Sequence, residues 1–280
     1  MDPTFRTPLL DCFRRGEASR EVRLLAAGGQ LAPRAHEQLA LLVLLAADED
    51  PEIRALTEQT VQRLPREGLA AFLARSDVHA EIRAFFAARG LAPEDAPPGG
   101  DTASPLLPFE TDEAVQASED EPAGPAGEGE GEGEKPGESR PRGGVSQRLA
   151  LMDVGQRVKV AMLGSREERN VLIRDSNRVV AAAVLSSPKL TESEVESIAR
   201  MANVSDEVLR IVGTSRAWTK NYNVISALTR NPKTPIAISL SLLSRLTSRD
   251  VKMLSTDRNV PEPLRVAARK QAVVGDSRKQ

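Results

Sequence analysis

A break in charge and composition between two helix-like blocks is the feature that most constrains this chain. Residues 1–91 carry 12 basic and 13 acidic side chains, residues 92–144 carry 3 and 14, and residues 145–280 carry 23 and 13. The middle stretch is rich in Pro and Gly, and Glu alternates with Gly from Glu128 to Glu134, so it offers little to bury. We therefore predict two folded domains, 1–91 and 145–280, joined by a disordered acidic linker over 92–144.

Helix breakers and capping residues divide the first block into short helices. The pattern predicts helices over 5–14, 18–27, 34–47, 51–63, 67–74 and 79–89. Asp50 suits an N-cap ahead of Pro51, Pro33 suits a first helical turn, and Gly90 suits a C-terminal stop. An all-α domain is the expected result.

One pattern occurs twice in the first block. The stretch from Asp50 to Leu56 reads DPEIRAL, and the stretch from Asp77 to Phe85 reads DVHAEIRAF, so an acidic cap, an apolar residue, Arg and a small residue recur in the same order. This pattern resembles HEAT-like helical repeats, whose second helix often opens with an Asp-Pro-x-x-Arg motif. The resemblance implies a short α-solenoid.

The second block contains a clearer internal repeat. A shift of 44 residues aligns Ser187-Pro188 with Asn231-Pro232 and Asp206 with Asp250, and a two-residue contraction follows that point. A period of this length is typical of HEAT and armadillo units. The alignment predicts that eight side chains are buried at equivalent positions: Val180, Ala183, Val184, Ile198, Val224, Ala227, Leu228 and Leu242.

Three short helices per unit fit this repeat. They are predicted over 177–186, 192–201 and 205–212, and again over 221–229, 235–245 and 248–255, with three more between Val145 and Asp175. Thr191 with Glu194 has the spacing of a capping box, and Ser205 or Asp206 suits the next N-cap. Both blocks together predict an all-α protein made of two short HEAT-like α-solenoids.

Three further stretches carry a second resemblance. They are RDSN at 174–177, WTKNY at 218–222 and NPKTP at 231–235. They look like a bacterial family of HEAT-like or leucine-rich-repeat-variant helical-repeat proteins, and the likeness covers about half of the chain. The resemblance implies an α-solenoid and supplies no activity.

Reactive side chains are too few and too scattered to predict an enzyme. His36 and His79 are the two histidines, both predicted on surface faces of the first block, and no His, Cys and carboxylate cluster has metal-ligand spacing. Neither a phosphate-binding Gly loop nor a hydrolase elbow is present. We expect no catalytic residue, no metal, no cofactor and no small-molecule substrate.

The single cysteine and the short apolar runs indicate the cellular compartment in which we expect this chain. Cys12 cannot form an intramolecular disulfide, and we interpret it as a buried apolar residue. The N-terminal residues do not resemble a secretory signal, and the longest apolar run, Leu39 to Ala47, is too short to cross a bilayer. We expect a cytoplasmic protein without membrane insertion.

The only Trp and the only Tyr of the chain lie among four basic residues. Together they form a predicted partner-binding patch of Arg216, Trp218, Lys220, Tyr222, Arg230 and Lys233. If one helix spans both rings, their four-residue spacing puts them on one face beside the cations, where they suit a phosphate, a nucleic-acid backbone or an acidic peptide. The other interpretation makes Trp218 a plug between helices and the cations a solvated rim.

One apolar island interrupts the acidic middle stretch. Leu106, Leu107 and Phe109 lie close together between Pro105 and Glu110. Such a cluster is typical of a docking motif that becomes ordered on binding, since a groove that shields Leu and Phe from water is favourable. Chance variation in the sequence is the other explanation.

These patterns favour a non-catalytic protein–protein interaction adaptor, or scaffold, in which the acidic tether sets the spacing of bound partners. The net charge of the second block predicts one or more partner proteins with an acidic surface. The alternative is a nucleic-acid-binding protein that uses this basic block. The acidic linker would then compete with nucleic acid for the same surface.

Overall fold

A computed structural model describes residues 7–91, 106–107 and 142–277. All regular structure in these ranges is helical, with sixteen α-helices, one 3-10 turn and no strand. The predicted all-α class is confirmed. Residues 92–105 and 108–141 of the predicted linker lie outside the described residues, so the disorder of the linker stays a prediction.

Six helices precede the predicted linker, and each matches a predicted helix to within a few residues. They are α1 (Pro8–Arg14), α2 (Arg20–Ala27), α3 (Ala35–Leu45), α4 (Pro51–Arg63), α5 (Arg66–Leu73) and α6 (Ala80–Ala87). Asp50 caps α4 as predicted, because its carboxylate accepts the Glu52 N–H at 2.9 Å. Gly90 ends the α6 segment with a positive φ of 75°. Pro33 lies outside the first turn of α3, since that helix begins at Ala35 after the N-cap Arg34.

Ten helices follow the predicted linker. They are α7 (Arg142–Leu151), α8 (Val154–Leu163), α9 (Arg166–Leu172), α10 (Arg178–Ser186), α11 (Glu192–Arg200), α12 (Asp206–Thr214), α13 (Tyr222–Arg230), α14 (Ile236–Leu243), α15 (Ser248–Thr256) and α16 (Glu262–Ser277). The predicted helices are confirmed, including the capping box of Thr191 and Glu194. The start of α7 extends three residues into the predicted linker.

The helix starts fix the repeat register. Helices α10 and α13 begin 44 residues apart, and the side chains of Asn177 and Asn221 cap them in the same way. Helices α12 and α15 begin 42 residues apart, with Ser205 and Thr247 as their N-caps. The predicted pairing of Asp206 with Asp250 is therefore wrong. Helix α14 is one residue shorter than α11, and the connection after α14 is one residue shorter than the connection after α11. The two-residue contraction of the repeat thus comes before α15.

All eight side chains that the repeat alignment predicted as core are buried. Three of them, Val180, Ala183 and Val184, belong to α10, and three others, Val224, Ala227 and Leu228, take the equivalent places in α13. Their burial is confirmed. The assignment of this repeat to the HEAT-like class, and a solenoid arrangement of its helices, stay predictions.

The compact units of the structure do not coincide with the predicted domains 1–91 and 145–280. One unit comprises Met1–Leu172 with Asn177–Pro188, and the other comprises Ile173–Ser176 with Lys189–Gln280. In the first unit α1 packs on α10 and α2 packs on α8. Helices from both sides of the predicted linker therefore belong to one compact unit. Independent folding of residues 1–91 and of residues 145–280 stays a prediction.

The composition of α10 explains why the first unit crosses residue 145. Every residue of α10 from Val179 to Ser186 is buried, so this helix needs neighbours on several sides. Helix α1 supplies one of them, and the Leu9 N–H donates to the Ser186 hydroxyl at 3.1 Å. Helices α2 and α8 approach so closely that a Cβ on Gly155 would lie 2.1 Å from Leu25 Cδ1.

The second unit is built around α13. This helix packs on α11 and α14, while α16 packs on α14 and, most extensively, on α15. Within the described ranges, no helix is long and apolar enough to cross a membrane. In the first unit Cys12 is buried as predicted, and burial raises the pKa of its thiol to about 11.

Candidate functional site

The predicted aromatic–basic patch does not form on one helix face. Trp218, Thr219 and Lys220 form a 3-10 turn, and the Asn221 side chain caps α13, so Tyr222 is the first residue of that helix. The two rings therefore lie on different elements, and the interpretation that one helix spans them is wrong. Trp218 is half-buried, as expected of a plug between elements.

Tyr222 and Arg230 converge on one acidic side chain at the start of α15. The Tyr222 hydroxyl donates to the Asp250 carboxylate and accepts the Thr247 N–H at 3.1 Å, while Arg230 pairs with Asp250 at 2.7 Å. The Tyr222 hydroxyl, followed by Thr247 and Arg230, holds the pKa of Asp250 below its ordinary value. Much of the Arg230 charge is therefore compensated within the fold.

The other three basic residues of the patch differ in environment. Arg216 and Lys220 are exposed, and neither makes an ion pair with a described residue. The Lys233 ammonium group donates to the Val204 carbonyl at 3.4 Å. The six predicted residues are thus divided among the turn before α13, the Asp250 cluster and the connection after α13.

A pocket of about 290 Å³ opens between α11 and α13. Arg200 and Arg230 line it together with the polar side chains of Asn223, Ser226 and Asn231, and no acidic residue is part of the lining. Arg200 pairs with Glu196 on its own helix, and a guanidinium has five N–H donors, so both arginines keep donors for a further acceptor. The pocket therefore suits a carboxylate.

Asn231 ties the two walls of this pocket together. Its side-chain amide donates to the Ala199 and Met201 carbonyls at 2.8 and 2.9 Å, at the end of α11, and its carbonyl oxygen accepts the Lys233 N–H at 3.0 Å. Asn231 is buried, and as the C-cap of α13 its backbone N–H donates to the Ala227 and Leu228 carbonyls. It thus satisfies groups that the helix ends would otherwise leave unpaired.

Replacing Asn231 with Ala should destabilise the second unit by about 2 kcal/mol, since two carbonyls and one N–H lose their partner in a buried site. Urea unfolding followed by the fluorescence of Trp218, the only Trp of the chain, measures this loss. Asn259→Ala is the matched control, because Asn259 is exposed, and it should change stability by less than about 0.5 kcal/mol. Equal effects of the two substitutions would contradict the assigned role.

A second constellation lies in the first unit, around Leu106 and Leu107. The Gln38 side-chain oxygen accepts the N–H groups of Leu106 and Leu107 at 3.0 and 3.3 Å, and its amide nitrogen donates to the Leu107 and Gly29 carbonyls at 3.4 and 3.3 Å. Leu107 is buried. Two residues of the predicted docking motif thus contact helices of their own chain, and Phe109 lies outside the described residues.

The histidines occupy structural positions. His36 is half-buried rather than on the predicted surface face; its ring contacts Phe72 edge-on, and burial lowers its pKa. His79 caps α6 by accepting the Glu81 N–H at 3.3 Å. Among the residues that the structure describes, no three His, Cys, Asp or Glu side chains are grouped as a metal site.

Comparisons with known proteins supply no relative. No protein-family model, no curated protein and no solved structure matches this chain. The resemblance to HEAT-like or leucine-rich-repeat-variant proteins thus rests on the quoted sequence stretches and stays a prediction.

Proposed function

We propose that this chain is a non-catalytic interaction protein that binds an acidic segment of a partner protein in the pocket between α11 and α13. The single observation that carries the proposal is the pocket lining, which has Arg200 and Arg230 but no acidic residue. Planar guanidinium groups hold carboxylates through paired N–H donors, so two arginines in one concave site favour an acidic side chain.

The size and charge of this site favour a protein segment over a nucleic acid. A volume of about 290 Å³ accommodates one or two side chains. Nucleic-acid binding needs several cations spaced along the phosphate backbone, whereas this site offers two arginines in a single pocket and Lys233 contacts a carbonyl. Arg216 and Lys220 remain as exposed cations that would steer an acidic partner towards the unit.

Helix α14 supplies apolar surface for the same interaction. Ile236 and Leu240 lie one helical turn apart, and their side chains are exposed. The sequence of α14 contains no charged residue, and the helix packs directly on α13. An apolar area beside a polar, basic site is typical of protein interfaces, so α14 fits a role as part of the contact surface.

Removing the two pocket arginines should weaken acidic-peptide binding. The full chain with Arg200→Gln and Arg230→Gln should bind a short Glu-rich peptide at least about tenfold more weakly by isothermal titration calorimetry, since charge-assisted hydrogen bonds are lost. Arg249→Gln with Arg258→Gln removes the same charge at exposed positions and should change the affinity less than about twofold.

Two results would count against the proposal. Equal weakening by both double substitutions would show that general charge, and not the pocket, binds the peptide. Tighter binding of a short DNA duplex than of the peptide, with a steep salt dependence, would favour the nucleic-acid alternative.

A further inference from the structure

We infer that Gly29, Gln38 and Gly68 form a binding site for a bent, non-helical Leu-Leu segment, and that the chain's own Leu106–Leu107 occupies this site in cis. These three residues are called the Leu-Leu cradle below. The inference concerns the first unit and does not depend on the proposed function of the pocket in the second unit.

Gln38 recognises the backbone of the segment. Gln38 is only 1% exposed. Its side-chain oxygen accepts two hydrogen bonds and its amide group donates two, and three of these four bonds are made with Leu106 and Leu107. A buried amide without these partners would be left unsatisfied, which is unfavourable. Gln38 accepts two successive N–H groups on one oxygen, which requires a bent backbone with free polar groups, and the interior of a helix does not offer them.

The two glycines make room for the two leucine side chains. A Cβ on Gly29 would lie 2.3 Å from Leu107 Cδ1, and a Cβ on Gly68 would lie 3.3 Å from Leu106 Cδ2. Gly29 follows α2 with a φ of 77°, a conformation that L-residues rarely adopt, and it closes that helix by donating to the Ala26 carbonyl. Leucine recognition and the end of α2 therefore depend on the same residue.

Covalent linkage keeps this site filled. Only 14 residues separate Leu91, after α6, from Leu106, and a short connection of this kind gives an effective concentration of about 1 mM. With an intrinsic Kd of about 100 µM for the Leu106–Leu107 segment, a competing segment would then bind the intact chain about tenfold more weakly than the empty cradle. The Leu106–Leu107 segment is thus an internal competitor, and a partner protein with a bent Leu-Leu segment would have to displace it.

A labelled peptide tests the inference on the full chain. The probe is a synthetic peptide with the sequence of residues 101–112, and its binding is followed by fluorescence anisotropy. The chain with Leu106→Ser and Leu107→Ser should bind the probe at least about tenfold more tightly than the unaltered chain, because its cradle is empty. Leu151→Ser, at a side chain that is 90% exposed, should leave binding unchanged.

Substitutions in the cradle identify where the peptide binds. In the Leu106→Ser, Leu107→Ser background, Gln38→Leu should abolish probe binding. Gly68→Leu should do the same by filling the space of Leu106, and because a leucine is favourable inside α5, this variant keeps the fold. Circular dichroism checks that both variants remain helical.

Three outcomes would overturn the inference. They are failure of the probe to bind the doubly substituted chain, equal binding to the unaltered chain, and retained binding in the folded Gly68→Leu variant. A further result would overturn the cis assignment: an unaltered chain that is dimeric by analytical ultracentrifugation and becomes monomeric when Leu106 and Leu107 are replaced.

Discussion

Leu228→Asp should unfold the second unit at room temperature. Leu228 is 0% exposed and lies in α13, which packs on α11 and α14. An unpaired carboxylate at this position costs about 3–5 kcal/mol, on the order of the total stability of a small domain. We expect the Trp218 fluorescence of the variant to match that of the urea-unfolded chain, with a corresponding loss of helical circular dichroism.

The control for this prediction is the same substitution on the solvent side of the unit. Leu240 in α14 is 40% exposed, so an aspartate there keeps its hydration, and Leu240→Asp should lower stability by less than about 1 kcal/mol. If Leu228→Asp left the unfolding midpoint near that of Leu240→Asp, the packing of α13 in the core of the second unit would be incorrect.

The helices could be predicted because each is short and carries its own boundary signals. Asp50 with Pro51 opens α4, Thr191 with Glu194 opens α11, and Gly90 closes the α6 segment. In helices of two or three turns the unpaired groups at the ends are a large share of all backbone groups, so capping residues mark the limits of the helix strongly. The 44-residue repeat also predicted which side chains of these helices are buried.

The grouping of helices into units could not be predicted in the same way. The sequence of α10 is apolar on every side, which indicates that several neighbours cover it, but the sequence does not say which. One of those neighbours is α1, more than 160 residues earlier. A composition break such as the acidic stretch separates two helix-rich blocks in the sequence, and it does not decide which helices meet.

The sequence likewise does not predict which single residues meet in the candidate sites. Arg200 and Arg230 line one pocket although they are 30 positions apart in the sequence, and Gln38 binds residues that are 68 and 69 positions away. Only the packing of helices brings these side chains together. The separation of Trp218 from Tyr222 was accessible to sequence analysis, because Asn221 matches the N-cap Asn177 in the 44-residue register and so marks the start of α13.

The stability of the first unit should decrease as the pH rises from about 4.5 to about 7. Glu37 in α3 is 1% exposed, and burial raises the pKa of its carboxyl from an ordinary 4.5 to about 7, although Arg34 and Thr7 oppose the shift. Below pH 4.5 the carboxyl is protonated in the folded and unfolded chain alike. Between the two values only the unfolded chain is ionised, which favours unfolding.

The size of this effect follows from the shift. A raised pKa of this extent lowers the free energy of unfolding by about 3 kcal/mol once the pH exceeds 7. Glu37→Gln has no proton to lose, so its unfolding free energy, measured by urea titration with far-UV circular dichroism, should lack this component of the pH dependence. The difference between the two chains isolates Glu37 from every other titrating group.

Glu21→Gln provides the control, since Glu21 is exposed in the first turn of α2 and should retain the full pH dependence of the unaltered chain. Thr7 and Arg34 favour the ionised carboxyl of Glu37, but neither carboxyl oxygen has a partner with normal hydrogen-bond geometry among the described residues, so the cost of burial outweighs both. An identical pH slope for Glu37→Gln and the unaltered chain would mean that the ionised carboxylate is accommodated in the folded state, which requires water or a cation to reach it beneath α3.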